Sequence, residues 1–286
     1  YPITKVNSIQ QKQSGQLCFL INKKIDDISL NTSENYIELL LSVEQTQNSK
    51  KITELREKWI IDTVVIDPGH GGKDPGAVGV NNIQEKDIAL DISKQLGKMI
   101  ERNLGLKVIY TRDEDIFIPL WKRTQIANNA GADIFISIHA NAANQKARGF
   151  ETFLLRIGKT QDAIEVAKRE NEAIKLEEKT HQYIDFSDGK RIVASMTQNS
   201  AMRGSEYLAD RIQVNLDKRI DSINRGVKQA GFHVLVGATM PNVLVEVGFI
   251  TNKYEAKQLA KAQYKREIAK GLYAAVADFK SKYEKR

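Results

Sequence analysis

Two histidines and two glutamates are the residues best placed to do chemistry, because imidazole and carboxylate at strand ends can hold a metal ion and move a proton. His70 follows the β-branched run Val64-Val65-Ile66 and lies between Gly69 and Gly71-Gly72, where the backbone can turn sharply and a ligand can approach closely. His139 follows Ile134-Phe135-Ile136-Ser137-Ile138. Either imidazole alone is more often a packed or surface residue. Two of only four histidines, each just past a strand end, point together to a metal role. Glu85 stands near the expected start of a helix, where an acid is stabilised by the helix dipole. The alternative is that it completes a two-histidine, one-carboxylate set that leaves an open position for water on zinc. Asn141, just beyond His139, suits orienting groups around such a metal rather than binding it. Glu246 lies inside Val243-Leu244-Val245-Glu246-Val247, a strand expected to be buried on both faces. A carboxylate there is costly to desolvate unless it is paired or used. Its two readings are a buried ion pair with Lys228 or Arg225 and a general base.

These residues need a frame that brings them together. From Trp59 onward, apolar strands alternate with helical spacing, which predicts an α/β fold: a mostly parallel sheet with helices on both faces. Strands are expected at Ile60–Ile66, Leu106–Tyr110, Asp133–Ile138, Phe150–Leu155, Phe232–Val236 and Val243–Val247. Helices are expected at Gln84–Asn103, Leu120–Ala130, about Arg191–Leu216 and the C-terminus. Ligand sites in such sheets form outside the carboxyl ends of the strands, which is where His70, His139 and Glu246 fall. Residues 1–47 read as a small β segment, with strands at Gln16–Asn22 and Tyr36–Val43 and a turn over Asn31–Asn35. Cys18 reads there as a small buried hydrophobe. Polar, charged sequence from Gln45 to Lys58 reads as a linker or short exposed helix, so the domain limits are set at 1–47, 48–59 and 60–286.

An insertion at about 156–190 interrupts the alternation, and its first half, Gln161–Lys175, has helical spacing. Ala163, Val166, Ala167 and Ile174 share one face, and Glu170 falls in the middle of that apolar stripe. Glu172, Glu177 and Glu178 read as solvated acids.

The chain has 286 residues, 41% apolar and 28% charged, an ordinary globular composition with room for a sizeable core. Its single cysteine excludes a disulfide framework and a cysteine-based zinc finger. No run approaches the ~18 apolar residues of a membrane span. With Tyr1 in first place, a leader that would name the compartment is expected to lie outside this sequence. The net charge of +7 favours an anionic partner, but no nucleic-acid motif is visible, so an acidic polymer such as a cell wall fits better than nucleic acid.

Several separated segments then carry a resemblance. They are Val65-Ile66-Asp67-Pro68-Gly69-His70-Gly71-Gly72, Glu85, Ser137-Ile138-His139-Ala140-Asn141-Ala142, Arg225-Gly226-Val227-Lys228-Gln229-Ala230-Gly231-Phe232, and Pro241-Asn242-Val243-Leu244-Val245-Glu246-Val247-Gly248-Phe249-Ile250. In this order, from about Val64 to the C-terminus, they resemble the zinc-dependent N-acetylmuramoyl-L-alanine amidases of bacteria. The resemblance implies one zinc ion held at His70, Glu85 and His139, with Glu246 as the catalytic glutamate. It implies peptidoglycan as substrate, cut at the amide between N-acetylmuramic acid and L-alanine for wall remodelling and daughter-cell separation. Zinc would polarise the carbonyl and acidify water, and Glu246 would carry the proton. The N-terminal strands resemble the end of a small β-domain that targets such enzymes to the wall. Some division-associated members carry a helix that puts a glutamate on the zinc until an activator removes it. Ala167-Lys168-Arg169-Glu170-Asn171-Glu172 resembles that element, which implies Glu170 as a metal-blocking residue and an activator protein in the periplasm or cell envelope. Two alternatives stay open: a zinc peptidase cutting another amide, and a non-catalytic wall-binding module. The second would be favoured by loss of Glu246 or a ligand, and none is lost.

Overall fold

The computed structural model describes residues 3–11, 14–21, 25–32, 37–43, 60–156, 160–177 and 199–284, the first four segments by their backbone. The chain divides into two compact units, Tyr1–Trp59 and Ile60–Arg286. In the first, β1 (Ile3–Gln11) pairs antiparallel with β2 (Ser14–Ile21), and β3 (Ile25–Thr32) with β4 (Ile37–Val43). The sequence reading anticipates β2 and β4 but not β1 and β3, whose apolar residues are interrupted by Lys, Asn, Asp and Gln. The turn expected over Asn31–Asn35 does not include Asn31 and Thr32, which pair with Glu38 and Ile37 in the ladder; 33–36 lie outside the described residues. Pairing overrides the turn preference of asparagine there.

The second unit is a six-stranded sheet with helices on both faces. Its elements run β5 (Thr63–Pro68), α1 (Glu85–Leu104), β6 (Lys107–Tyr110), α2 (Leu120–Asn129), β7 (Ile134–Asn141), β8 (Phe150–Leu155) and α3 (Gln161–Glu170). They continue with α4 (Asn199–Asp217), β9 (Asn224–Ala230), β10 (Asn242–Phe249), α5 (Lys253–Leu259) and α6 (Ala262–Glu284). The strand order is β6-β5-β7-β10-β8-β9. Every neighbouring pair is parallel except β8 with β10.

Side-chain alternation along the strands sorts residues into two cores. Val64, Ile66, Ile134, Ile136, Ile138, Val243 and Val245 join one, beneath Ile88, Ile92, Leu96 and Ile100 of α1 and the buried faces of α4 and α6. Val65, Phe135, Phe153 and Leu244 join the other, with Leu120 and Ala127 of α2 and Ala163, Val166 and Ala167 of α3. By the same alternation Asp67, His139, Asn141, Glu151 and Glu246 belong to the α2–α3 face. Among the described residues no helix is long and apolar enough to cross a membrane.

One expected element needs correction. Phe232–Val236 is not a strand: His233–Leu235 forms a 3-10 turn. The strand lies earlier, at β9, and carries the polar run Asn-Arg-Gly-Val-Lys-Gln-Ala. β9 is the sheet edge, so one side of it faces charged partners and solvent, whereas Phe232, Val234 and Leu235 plug the core below α2. The helix expected at about Arg191–Leu216 is present over Asn199–Asp217, while 191–198 lie outside the described residues, as do 157–159 and 178–190 of the insertion.

Candidate active site

β5 ends at Pro68, and the chain then turns through positive φ at His70 (58°), Gly71 (124°) and Gly72 (58°). Such a conformation is costly for a histidine and persists only where surroundings impose it. Two buried arginines do so. Arg112 donates from Nε to Pro68 O (3.0 Å) and from Nη2 to Gly69 O (2.7 Å). Arg123 donates from Nη2 to His70 O (2.9 Å) and from Nη1 to Asp67 Oδ1 (2.9 Å). Asp67 also accepts from Ser137 Oγ at 2.6 Å and from Thr111 Oγ1. Burial alone would raise Asp67, but the Arg123 charge and these hydroxyl bonds hold its carboxyl below the usual range. Asp67→Asn is therefore expected to cost ~3–5 kcal/mol at neutral pH, as for other broken buried pairs, read by denaturant unfolding. Because the folded pKa is depressed, that contribution is present above about pH 4, the unfolded value. It fades as pH falls through the folded value, so wild type and variant should converge in acid.

His70 Nδ1 lies 2.8 Å from Asp74 Oδ2, which aims Nε2 into the site. Asp74 is itself placed by a tight turn, with backbone bonds to Gly71 of 2.9 and 3.1 Å. Glu85, the first residue of α1, is buried, and its Oε1 lies 2.9 Å from His139 Nδ1 and 3.1 Å from His70 Nε2. It also accepts from Ala140 N and Ala77 N. His139 stands near the end of β7 opposite Gly69, where any Cβ would fall 2.5 Å from the imidazole. The two rings are 4.8 Å apart and nearly perpendicular.

Glu170, at the end of α3 and only 4% exposed, completes the group. Its Oε2 is 3.0 Å from His70 Nε2 and 3.0 Å from His139 Nδ1. One ligand atom from each of His70, Glu85, His139 and Glu170 lies within 4.8 Å of the others. His70 Nε2 and Glu170 Oε2 are buried without an aligned hydrogen bond. Burial opposes charge on His139, yet Glu170 and Glu85 push it up to about 10. Burial likewise opposes charge on His70, and Glu85 with Asp74 overrides it upward. Buried carboxylates here demand positive charge, and convergent nitrogen and oxygen donors with orphaned atoms fit a divalent metal ion.

Glu246 pairs in register with His139 on one side and Glu151 on the other. Lys228 and Arg225 do not reach it; both bind Glu151, each at 2.7 Å. Both Glu246 carboxylate oxygens are buried without a hydrogen bond. Burial, reinforced by the charges of Glu170 and Glu85, pushes its carboxyl well above the usual range. An unpaired buried carboxyl beside a metal-type cluster is what a proton carrier needs.

Asn141 donates to Glu151 Oε1 (2.8 Å) and accepts from Arg169 Nη2 (2.6 Å), tying the end of β7 to both β8 and α3. Glu172 is exposed and pairs with Lys175. Glu177 departs from the solvated reading: it accepts from Leu120 N (3.0 Å) at the start of α2, whose first amides lack helical partners. Glu178 lies outside the described residues. Sequence reasoning passes over Asp67, Asp74, Arg112, Arg123, Glu151 and Arg169. Of these, only Asp74 carries a local signal, being one helical-turn length after His70 in a glycine turn.

Residues 64–278 match the family model described as N-acetylmuramoyl-L-alanine amidase. The chain is 36% identical over 219 residues to the N-acetylmuramoyl-L-alanine amidase AmiA of Escherichia coli, covering 76% of this chain and 75% of that one. It is 34% identical to the amidase AmiC of E. coli over 74% of this chain, but spans only 51% of AmiC. Among solved structures, the CwlD amidase of Clostridioides difficile, in complex with the GerS lipoprotein, superposes with a TM-score of 0.58 at 28% identity, covering 77% of this chain and 98% of that one. The fold, the buried histidine–carboxylate cluster and these matches agree, and the chain belongs to the N-acetylmuramoyl-L-alanine amidases, metal-dependent hydrolases of peptidoglycan.

Proposed function

We propose that the Ile60–Arg286 unit cuts the amide between the lactyl group of N-acetylmuramic acid and L-alanine, with zinc held by His70, Glu85 and His139. The observation that carries this reading is the convergence of four buried donor groups next to Glu246, a buried carboxylate with no hydrogen bond among the described residues. Two imidazoles and a carboxylate form a three-ligand set suited to zinc. A zinc ion bound there supplies Lewis-acid polarisation of the amide carbonyl and lowers the pKa of water toward neutrality. Asp74 fixes the His70 tautomer, and Arg112 and Arg123 hold the loop that presents it. Glu246 takes the proton from water and returns it to the departing amine, a role for which a raised carboxyl affinity for protons is suited. No residue becomes covalently attached.

Glu170 would add a fourth donor to that set in the resting enzyme, and α3 is the regulatory element that would put it there. Its support is the burial of Ala163, Val166 and Ala167 against the sheet, which delivers Glu170 to both histidines. An envelope activator that binds the open form more tightly than the closed one would release it. The CwlD–GerS structure is a precedent for an amidase in complex with a protein partner. Such a substrate places the enzyme in the periplasm or cell envelope, where it would serve wall remodelling and daughter-cell separation, and a net charge of +7 favours an anionic polymer. Residues 1–47 would aid wall targeting.

Turnover of purified sacculi tests this. Wild type should depend on zinc, losing activity with chelator and regaining it on zinc addition. Glu170→Ala should raise the basal rate by about tenfold or more, as expected if the open form is about one-tenth populated or less. An unchanged or lower rate, with metal content and folding preserved, would make α3 merely structural.

A further inference from the structure

The polar contacts of α3 extend beyond Glu170. At the other end of the helix, Asp162 Oδ2 lies 2.5 Å from Lys228 Nζ and 3.6 Å from Arg225 Nη2. Both cations stand on the edge strand β9, and both also hold Glu151, which is 1% exposed. Glu151 balances one positive charge and Asp162 the other. Glu151 belongs to the sheet, whereas Asp162 leaves with α3. Displacing α3 therefore leaves one net positive charge on a pre-positioned pair, whose Arg225 guanidinium also sits over the Phe249 ring.

The spacing is informative. Asp162 and Glu170 are eight residues apart in one helix, about 12 Å at its rise per residue. An extended peptide covers that distance in about three to four residues. One helix thus presents two carboxylates, one to the metal cluster and one to a cation pair, at a separation a stem peptide can bridge. Asn141 lies between the two places, bonded to Glu151 and to Arg169 of α3.

We propose that Arg225 and Lys228 form a subsite for a carboxylate of the stem peptide, about three residues beyond the scissile amide, and that Asp162 occupies this subsite when α3 is closed. The proposal rests on the amidase reading and deepens it. Arg225 and Lys228 are specificity residues under it, and Asp162 stands in for substrate as Glu170 does at the metal. A pair serving only to neutralise Glu151 would not distinguish charged from neutral stems.

The test uses the full-length zinc-loaded enzyme carrying Glu170→Ala, so that α3 no longer blocks the metal. Soluble muropeptides are compared whose stem carboxylates beyond L-alanine are free or converted to carboxamides. The free-acid stem should show a KM about tenfold lower, the worth of one good charge-assisted contact, at similar kcat. Adding Lys228→Gln should erase that difference, and Lys228→Arg should keep it. Adding Asp162→Asn, at a side chain 51% exposed, should lower KM for the free acid alone by removing its competitor. Equal KM for the two stems, or a preference that survives Lys228→Gln, overturns the proposal. If Lys228→Gln fails to fold, Asp162→Asn decides, and equal effects on both stems overturn it. Failure of the amidase reading looks different: neither muropeptide is cut by any variant. Calorimetric titration with the free stem peptides then decides the subsite alone. Tighter binding of the acid form that is lost in Lys228→Gln supports it, and equal binding of acid and amide overturns it.

Discussion

Glu246→Gln is expected to retain its metal and its fold while losing at least ~100-fold in hydrolysis, the usual scale for a lost general base. The reason lies in what the side chain does not do. Neither oxygen accepts a hydrogen bond, so the amide breaks no contact that holds β10 in place. Nor does the substitution strand a partner charge, because Lys228 and Arg225 are already engaged by Glu151. Removing an ionisable group from a fully buried strand relieves desolvation rather than adding to it. Metal analysis, thermal unfolding and sacculus turnover on one preparation separate the outcomes. A near wild-type rate would remove Glu246 from the mechanism.

His139→Ala should behave differently, losing metal and activity together. His139 Nδ1 faces Glu85 and Glu170 at 2.9 and 3.0 Å, and alanine offers no donor atom in that gap. Altering a group that merely supports a ligand costs about 10–100-fold in metal affinity or activity. Loss of the ligand itself should exceed ~100-fold, leaving sub-stoichiometric zinc and background hydrolysis. The variant also leaves two buried carboxylates with less positive charge between them, so a lower unfolding temperature is expected when zinc is withheld. Full zinc occupancy with full activity would mean that the ligand set is wrongly assigned.

The central residues are legible in the sequence because a short, continuous apolar run is a local signal. Val64-Val65-Ile66 and Ile134–Ile138 announce buried strands, and the residue after such a run must emerge at the sheet edge. Glu170 is legible for the same kind of reason, as a charge in an apolar helical stripe. The supporting residues are not legible, because their meaning depends on contacts across long stretches of chain. Arg123 reaches His70 across 53 residues, and Arg225 reaches Glu151 across 74. Nothing local separates such an arginine from a solvated one. β9 is hidden by its polarity, since an edge strand whose side chains bind Glu151 and Asp162 lacks the apolar run that marks the others. Phe232–Val236 misleads in the opposite way: apolarity reports burial, and burial here belongs to a 3-10 turn.

Mass spectrometry of peptidoglycan digested by the zinc-loaded enzyme identifies the bond that is cut. Stem peptides should be released with a free L-alanine amine, leaving glycan strands whose N-acetylmuramic acid keeps a free lactyl carboxylate. Both products should appear with wild type, increase with Glu170→Ala, and disappear with chelator or with Glu246→Gln. Release at any other amide, with the same metal dependence, would make the protein a zinc peptidase and contradict the account.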